Sequence, residues 1–330
     1  MKKKVMCKKK TILITSIGKR VQLINHLKKK FKIVGVDAGD INAGRYFVDE
    51  FYKIPKVTES NYVEVLLDIC KKESVKGLIP LYEGEFQVLN SAREKFEEQG
   101  IFLILSGEEV NSICKDKKLT YEHFMKSKIK LPKVYYDSEI NEIIEKEDIT
   151  KFPLFIKPVD GMGSSNAFRI NNINELKFFR GYIKNNIIQE CIEGDEYTVD
   201  CLVDFNGNPI YVVPRKRIEV RSGEVVKSST VHDDDMINNT IEVIKHLNKA
   251  KDKKGLGAIG PLTIQFFKDK NGNIYLLEIN PRFGGGVPLS FEAGADYGRA
   301  LNTILNEEEI NYINEFEEKT MLRYDEAVFF

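Results

Sequence analysis

The sequence has few of the features that mark secreted, membrane or nucleic-acid-binding proteins. Its five cysteines include no CxxC pair, so neither a disulfide framework nor a cysteine-based zinc site is expected. Basic and acidic residues balance at 50 each, which leaves no net charge to attract nucleic acid or an acidic membrane. No long apolar run follows the lysine-rich segment 1–10, so neither a signal peptide nor a membrane span is expected. These absences together predict a cytoplasmic protein with reduced thiols.

Several common cofactor and catalytic motifs are also missing. The first strand-to-helix turn contains only Gly18, whereas a dinucleotide fingerprint needs three glycines, and no GxxxxGK[ST] P-loop occurs. The four histidines, His26, His123, His232 and His246, are scattered and form no evident triad with a serine or cysteine. Neither a Rossmann cofactor nor a covalent enzyme nucleophile is therefore expected.

Hydrophobic periodicity predicts α/β and α+β architecture in three successive segments. In residues 1–112, strand-like and helical patterns alternate, beginning with a strand at 11–15 and a helix at 21–27. This alternation is typical of a doubly wound α/β lobe. Residues 113–190 have the pattern of a small α+β module, and residues 191–330 are rich in antiparallel strand signals.

The sharpest local prediction is a metal site on a hairpin in the last third of the chain. Asn271-Gly272 lies between two apolar runs and is typical of a two-residue hairpin loop. With that loop, Gln265 lies directly opposite Glu278. Asn280 follows two residues later and shares their face. Three oxygen-bearing side chains that converge in this way suit Mg²⁺.

The same alternation assigns Ile274 and Leu276 to the face of Glu278. These apolar neighbours favour a buried site over the alternative, a polar edge exposed to solvent, because an unpartnered buried carboxylate is costly. The assignment depends on a two-residue loop, since a longer loop would change the register.

A lysine and a glycine–serine loop indicate a site for phosphates. Lys157 ends the apolar run 152–157, and a lysine in that position needs an anionic partner. The loop that follows includes Gly163, Ser164 and Ser165, whose backbone N–H groups and hydroxyls suit phosphate binding. A surface turn is the alternative interpretation of the loop.

Three charged residues are predicted to bind substrate. Arg215 and Arg217 belong to a basic cluster after Pro214 that could clamp a carboxylate, the alternative being a solvated run of charge. Glu85 follows a strand of the first segment, where α/β sheets place ligand crevices, and is predicted to contact the second substrate.

The motifs occur in an order that resembles the ATP-grasp superfamily, and within it the large subunit of carbamoyl-phosphate synthase and its single-unit relatives. The resemblance covers essentially the whole chain and is most specific in 276–282 and 189–196. It implies an ATP-grasp fold, in which an N-terminal α/β (pre-ATP-grasp) lobe precedes two α+β lobes that clasp ATP.

The resemblance also implies which residues contact the nucleotide. Lys117 and Lys157 would contact the ATP phosphates, and Glu196 would bind the ribose. The adenine edge would be read along three consecutive residues, Glu190, Cys191 and Ile192.

Metal binding and phosphoryl transfer follow from the same resemblance. Gln265, Glu278 and Asn280 would hold one or two Mg²⁺ ions, with Mn²⁺ as the alternative metal. Arg282 would stabilise the transferring phosphoryl group together with Lys157.

The implied activity is that of an ADP-forming ligase, which activates a small carboxylate as an acyl phosphate and joins it to an amine. A phosphotransferase on the same fold and a non-catalytic nucleotide-binding module are alternatives. The chain has room for one ATP-grasp unit and carries no glutaminase. The ATP-binding subunit of a split amidotransferase therefore stays open, as does a homodimer.

Overall fold

A five-stranded parallel sheet forms the first lobe of the protein. The computed structural model describes residues 9–161 and 165–330. Within these ranges the first sheet has the order β3-β2-β1-β4-β5, as the predicted α/β lobe requires. Its elements are β1 (Thr11–Thr15), α1 (Val21–Lys28), β2 (Lys32–Asp37), β3 (Glu50–Lys53), α2 (Tyr62–Glu73), β4 (Val75–Ile79), α3 (Phe86–Ser91), α4 (Arg93–Glu97) and β5 (Phe102–Leu103).

Two helices lead from the first lobe into a small lobe built on a four-stranded antiparallel sheet. The strand order of this sheet is β6-β9-β7-β8. The connecting helices are α5 (Glu108–Lys115) and α6 (Lys117–Phe124), and the lobe contains β6 (Val134–Tyr135), α7 (Asp137–Glu145), β7 (Leu154–Pro158), β8 (Phe168–Ile170), α8 (Ile173–Tyr182) and β9 (Asn186–Glu190).

A six-stranded sheet forms the large lobe, in the order β14-β13-β10-β11-β12-β15. All its pairings are antiparallel. Its elements are β10 (Gly194–Val203), β11 (Pro209–Arg221), β12 (Glu224–Thr230), α9 (Asp234–Leu247), β13 (Gly260–Asp269), β14 (Ile274–Asn280), α10 (Pro288–Glu292), α11 (Tyr297–Ile304) and β15 (Thr320–Leu322). Within the described ranges, none of the helices has the length and apolar content needed to cross a bilayer.

The first and large lobes share one hydrophobic core, whereas the small lobe has its own. Buried residues of β1 and α1, such as Ile12 and Leu27, belong to the same cluster as Phe291 and Leu301 of the large lobe. The small-lobe core is a separate cluster that includes Leu154. The two larger lobes therefore form one packed body, and the small lobe is a separate unit with its own core.

The β13–β14 hairpin confirms the predicted pairing of Gln265 with Glu278 but not the loop from which it was derived. Lys268 pairs with Ile274, so the connection is longer than the two residues predicted. A register shift beyond Phe266, which pairs with Leu276, then adds one residue to β14 and restores the expected partner.

The same shift corrects the predicted face of Ile274 and Leu276. Both are buried in the shared core together with Ile279, and Leu276 pairs with the buried Phe266. Glu278 lies on the other face, because the additional residue reverses the alternation along β14. The apolar neighbours that favoured burial of Glu278 thus pack on the side of the sheet away from it.

One ion pair lies buried between adjacent strands of the large sheet. The Arg215 guanidinium donates to both carboxylate oxygens of Asp200, with Nε–Oδ2 and Nη2–Oδ1 distances of 2.6 and 3.0 Å. Ser290 donates to the same carboxylate at 2.6 Å. Both charged residues are only 1% exposed. The network fixes Arg215 in place, and each charge depends on the other for compensation.

We expect Asp200→Ala to lower the free energy of unfolding by about 3–5 kcal/mol, because it leaves the Arg215 charge buried without a partner. Asp195 and Lys216, on the same two strands, form a more exposed pair at 2.6 Å. Asp195→Ala should therefore cost less than about 1 kcal/mol. Denaturant titration of both variants measures the difference, and equal losses would contradict the buried-pair assignment.

Candidate functional site

A cleft of about 760 Å³ lies where the three lobes meet. The small lobe contributes residues of β7 and β9, and the large lobe contributes β10–β14 and the loop after β14. The first lobe contributes the segments that follow β1 and β4. The sequence-predicted residues that line the cleft are Lys117, Lys157, Ser165, Glu190, Cys191, Ile192, Glu196, Arg215, Arg217, Gln265, Glu278, Asn280 and Arg282.

Gln265, Glu278 and Asn280 meet on the large-sheet side of the cleft. Oε1 of Glu278 accepts from Nε2 of Gln265 at 2.8 Å and from Nδ2 of Asn280 at 2.9 Å. A half-turn of either amide would present its oxygen instead. No cluster of three His, Cys, Asp or Glu side chains that could hold a metal is found in residues 9–161 and 165–330. A set with one carboxylate fits Mg²⁺, which takes most of its remaining ligands from phosphates and water.

Two lysines contribute positive charge on the small-lobe side. Lys157, the penultimate residue of β7, is partly buried. Burial, with a smaller contribution from Lys117, lowers its pKa to about 8, although the charge of Glu278 opposes that shift. The Lys117 ammonium donates to the carbonyl oxygen of Gly161 at 2.7 Å. This contact holds Lys117 against the start of the predicted phosphate loop.

Only part of the predicted phosphate loop can be compared with its prediction. Gly163 and Ser164 lie outside the described residues. Ser165 is exposed on the cleft wall.

The predicted adenine edge is the connection between β9 and β10. Glu190 forms two hydrogen bonds with Lys133, just before β6: its backbone N–H donates to the carbonyl oxygen of Lys133 at 2.8 Å, and its carboxylate accepts from the Lys133 N–H at 3.1 Å. The Glu190 N–H is therefore already occupied. Cys191 and Ile192 continue along the cleft as irregular chain, which leaves their backbone groups better placed for an adenine edge.

Glu196 and Arg217, predicted as ribose and substrate ligands, pair with each other at 3.3 Å. Burial raises the pKa of the Glu196 carboxyl, although the charge of Arg217 opposes that shift. Arg217 also donates to the carbonyl oxygen of Gly223 at 3.2 Å. These two residues therefore form one charged wall of the cleft, and their roles as ribose and substrate ligands stay predictions.

Arg215 retains one unsatisfied donor. Its Nη1 is buried without a hydrogen-bond partner among the described residues, although the other guanidinium nitrogens bind Asp200. Gly286 lies against this group, and a Cβ there would come within 2.4 Å of Nη1. Only glycine at this position lets the loop after β14 pack so closely on the donor, which is suited to an oxygen anion.

Arg282 is held by the first lobe. Its Nε donates to Glu83, in the turn after β4, at 2.8 Å. Both side chains are largely buried at the cleft. The predicted phosphoryl-stabilising arginine therefore lies at the site, paired with a carboxylate.

Glu85 does not fit its predicted role as a substrate ligand. It is 1% exposed and is not part of the cleft wall. Its carboxylate accepts hydrogen bonds from Thr15, Ser16, Tyr62 and the Tyr82 backbone N–H. The carboxylate joins β1 to the turn after β4, and Glu83 faces the cleft in its place.

Five charged cleft residues were not predicted from the sequence: Arg20, Glu83, Lys115, Asp160 and Glu224. Glu83 lies two residues from the predicted Glu85. Arg20 follows the turn after β1, and Gly18-Lys19-Arg20 at the end of a parallel strand was an available signal. Glu224 follows Ser222-Gly223, whose positive φ values of 50° and 78° are typical of a two-residue hairpin turn.

Comparisons with known proteins match the order of these lobes. Residues 12–104 match the family described as PylC-like, N-terminal domain, and residues 114–286 match the ATP-grasp domain family. The carbamoyl phosphate synthase large chain of Thermoanaerobacter sp. (strain X514) is 24% identical over 247 residues, which cover 70% of this chain and 22% of that protein. The D-alanine–D-alanine ligase of Pelagibacter ubique (strain HTCC1062) is 28% identical over 221 residues, or 62% of this chain and 72% of that protein.

A solved structure shows the same fold. The biotin carboxylase domain of Hydrogenobacter thermophilus 2-oxoglutarate carboxylase, in complex with MgADP, ADP and bicarbonate, has a TM-score of 0.72 at 17% identity. The match covers 94% of this chain and 73% of that one. The ATP-grasp match itself extends over more than half of the 330 residues. The chain therefore belongs to the ATP-grasp family, as its sequence motifs predicted.

Proposed function

We propose that the protein is an ADP-forming carboxylate–amine ligase. The observation that carries the proposal is that one cleft contains a Gln265–Glu278–Asn280 oxygen cluster, the cationic Lys157 and the unsatisfied donor of Arg215. A metal–phosphate site and a carboxylate site thus adjoin each other. The relatives named as ligases support the same activity.

The charges of the cleft suit formation of an acyl phosphate. Nucleotide phosphates would lie between Lys157 and Glu278, and Mg²⁺ held at Glu278 would neutralise their charge. The acid would lie with its carboxylate at Arg215, from which an oxygen attacks the γ-phosphorus as the bond to ADP breaks. An uncharged amine then attacks the acyl carbon, phosphate leaves, and the ammonium proton passes to phosphate or water. Positioning and electrostatics supply most of the catalysis in such steps.

Other parts of the sequence-based prediction remain proposals. The chain spans 22% of the carbamoyl phosphate synthase relative, so a split amidotransferase with a separate partner remains a prediction. The same holds for Mn²⁺ in place of Mg²⁺, for a homodimer and for a cytoplasmic location. A phosphotransferase would give a phosphorylated alcohol as its product, which distinguishes it from a ligase.

We expect Glu278→Ala to reduce substrate-dependent ADP release by at least about a hundredfold. The Mg²⁺ that neutralises the phosphates would lose its single carboxylate ligand from the protein. The assay measures ADP and phosphate released from Mg·ATP with pairs of acids and amines. Glu219→Ala is the matched control: it removes the same charge from the same sheet outside the cleft. ADP release that is unchanged in Glu278→Ala would refute the metal assignment.

The affinity for Mg·ADP should fall as the pH rises through about 8. Lys157 has a lowered pKa of about 8, so its ammonium charge is present below that pH and is lost above it. A nearby phosphate favours the protonated form, so loss of the proton should weaken binding by about tenfold or more between pH 7 and 9.5. Calorimetric titration across this range gives the profile.

Two variants test whether the pH dependence of Mg·ADP binding comes from Lys157 or from another titrating group. Lys157→Arg keeps its charge and should bind with little pH dependence, and Lys157→Met should bind weakly at every pH. If the affinity of Lys157→Met for Mg·ADP still falls with pH as steeply as that of the wild type, the titration belongs to another residue.

A further inference from the structure

Arg20 provides an unpaired positive charge on the first-lobe wall of the cleft. It follows β1, precedes α1 and is partly buried. No carboxylate lies within 4 Å of its guanidinium in residues 9–161 and 165–330. Burial and the neighbouring Arg282 lower the pKa of Arg20 to about 10, although the charge of Glu224 opposes the shift. A partly buried cation is stabilised by an anion in direct contact with it, and the described residues supply none to Arg20.

The neighbouring carboxylates already have partners. Glu83 binds Arg282 at 2.8 Å. Glu224 forms ion pairs with both Lys19, at 3.2 Å, and Arg323, at 3.0 Å. These three side chains together carry a net positive charge. This end of the cleft therefore has more cationic than anionic side chains before any ligand binds.

A second unsatisfied donor, Nη1 of Arg215, lies next to the same glycine-rich loop, at Gly285 and Gly286. A Cβ on Gly285 would be 3.7 Å from Nη1 of Arg20, and one on Gly286 would be 2.4 Å from the buried Nη1 of Arg215. Consecutive Cα atoms lie about 3.8 Å apart, so the two donors are separated by no more than about 13 Å once both Cα–Cβ bonds are included. One small molecule of that length could therefore span both donors along the glycine backbone, where no side chain of 285 or 286 lies between them.

We propose that the acid substrate carries a second anionic group, carboxylate or phosphate, which binds Arg20 while the reacting carboxylate lies at Arg215. The proposal rests on the ligase function and specifies its substrate class. Arg20 determines specificity and has no part in the phosphoryl transfer itself. The γ-phosphate is the competing anion, because Arg282, which is predicted to stabilise it, neighbours Arg20. The titration into Mg·ADP-loaded protein compares the acids without a γ-phosphate, and the predicted lysines of the other phosphates, Lys117 and Lys157, are on the small-lobe side of the cleft.

The test compares acids of matched length by calorimetric titration into the Mg·ADP-loaded protein. The probes are pentanoate with one anionic group, and glutarate and 4-phosphonobutyrate with two. The wild type should bind at least one of the two dianionic acids about tenfold or more tighter than pentanoate, as expected for one additional charge-assisted contact. Whichever dianion is preferred distinguishes a second carboxylate from a phosphate-like group.

Arg20→Ala should bring the preferred dianion to the affinity of pentanoate and leave the affinity for Mg·ADP within about twofold of wild type. Arg20→Lys should restore part of the preference. Lys29→Ala, which removes an exposed charge beyond the other end of α1, should retain all of it. Thermal unfolding of each variant confirms that it is folded.

Four results would overturn the proposal: equal affinity of the wild type for both classes, no binding of either class, a preference that survives in Arg20→Ala, or a parallel loss of Mg·ADP affinity in that variant. Because binding is measured without turnover, it is independent of the ligase assay. A preference that depends on Arg20, without ADP release for any acid and amine, would count against the ligase function and not against the anion subsite.

Discussion

The apolar core shared by the first and large lobes fixes most of the cleft. Residues of α1 pack against α10 and α11, and the His26 ring stacks on Phe291 with centroids 3.8 Å apart. Burial lowers the pKa of His26 to about 4, so this contact is made by a neutral ring near pH 7. Ser106 bonds reciprocally with the backbone of Ile259 across the same boundary. The segments after β1 and β4 are therefore held against the β13–β14 hairpin.

The small lobe stands outside this body because its apolar residues form their own cluster. Lys157 belongs to the small lobe, whereas Arg20, Arg282 and Glu278 belong to the shared body. A change in the width of the cleft would therefore alter the distance from Lys157 to Glu278 much more than the distances within the shared body. The dimensions of the proposed nucleotide side therefore depend on where the small lobe lies, whereas the proposed acid side is built within the packed body.

Local sequence patterns were sufficient for the parallel lobe and for the functional hairpin. Gln265 does face Glu278, but the predicted loop was too short, and a bulge compensated for the error. Apolar alternation did not locate the bulge, because the additional residue, Leu277, is as apolar as Leu276 before it. The faces of Ile274 and Leu276 were consequently wrong.

Charged side chains were harder to assign, because their roles depend on partners far away in sequence. Glu85 was singled out by its position after a strand, but hydrogen bonds from Thr15 and Tyr62 turn it inward. Arg282 and Glu83 form an ion pair although they are 199 positions apart in the sequence. Arg20 is a cleft residue only because the large lobe packs over the turn after β1. No pattern within one segment contains that information.

The shared core also has a consequence for the order in which the chain folds during synthesis. Its two halves are separated by the whole small lobe, so residues near Ile12 must wait for residues near Leu301 before they are covered. The small lobe emerges between them and can bury its own cluster meanwhile. The nascent first lobe thus exposes an apolar face on the ribosome for some 200 residues of elongation, roughly 10–40 s at ordinary synthesis rates. During that interval the uncovered face of the first lobe is open to the non-native contacts from which chaperones protect nascent chains.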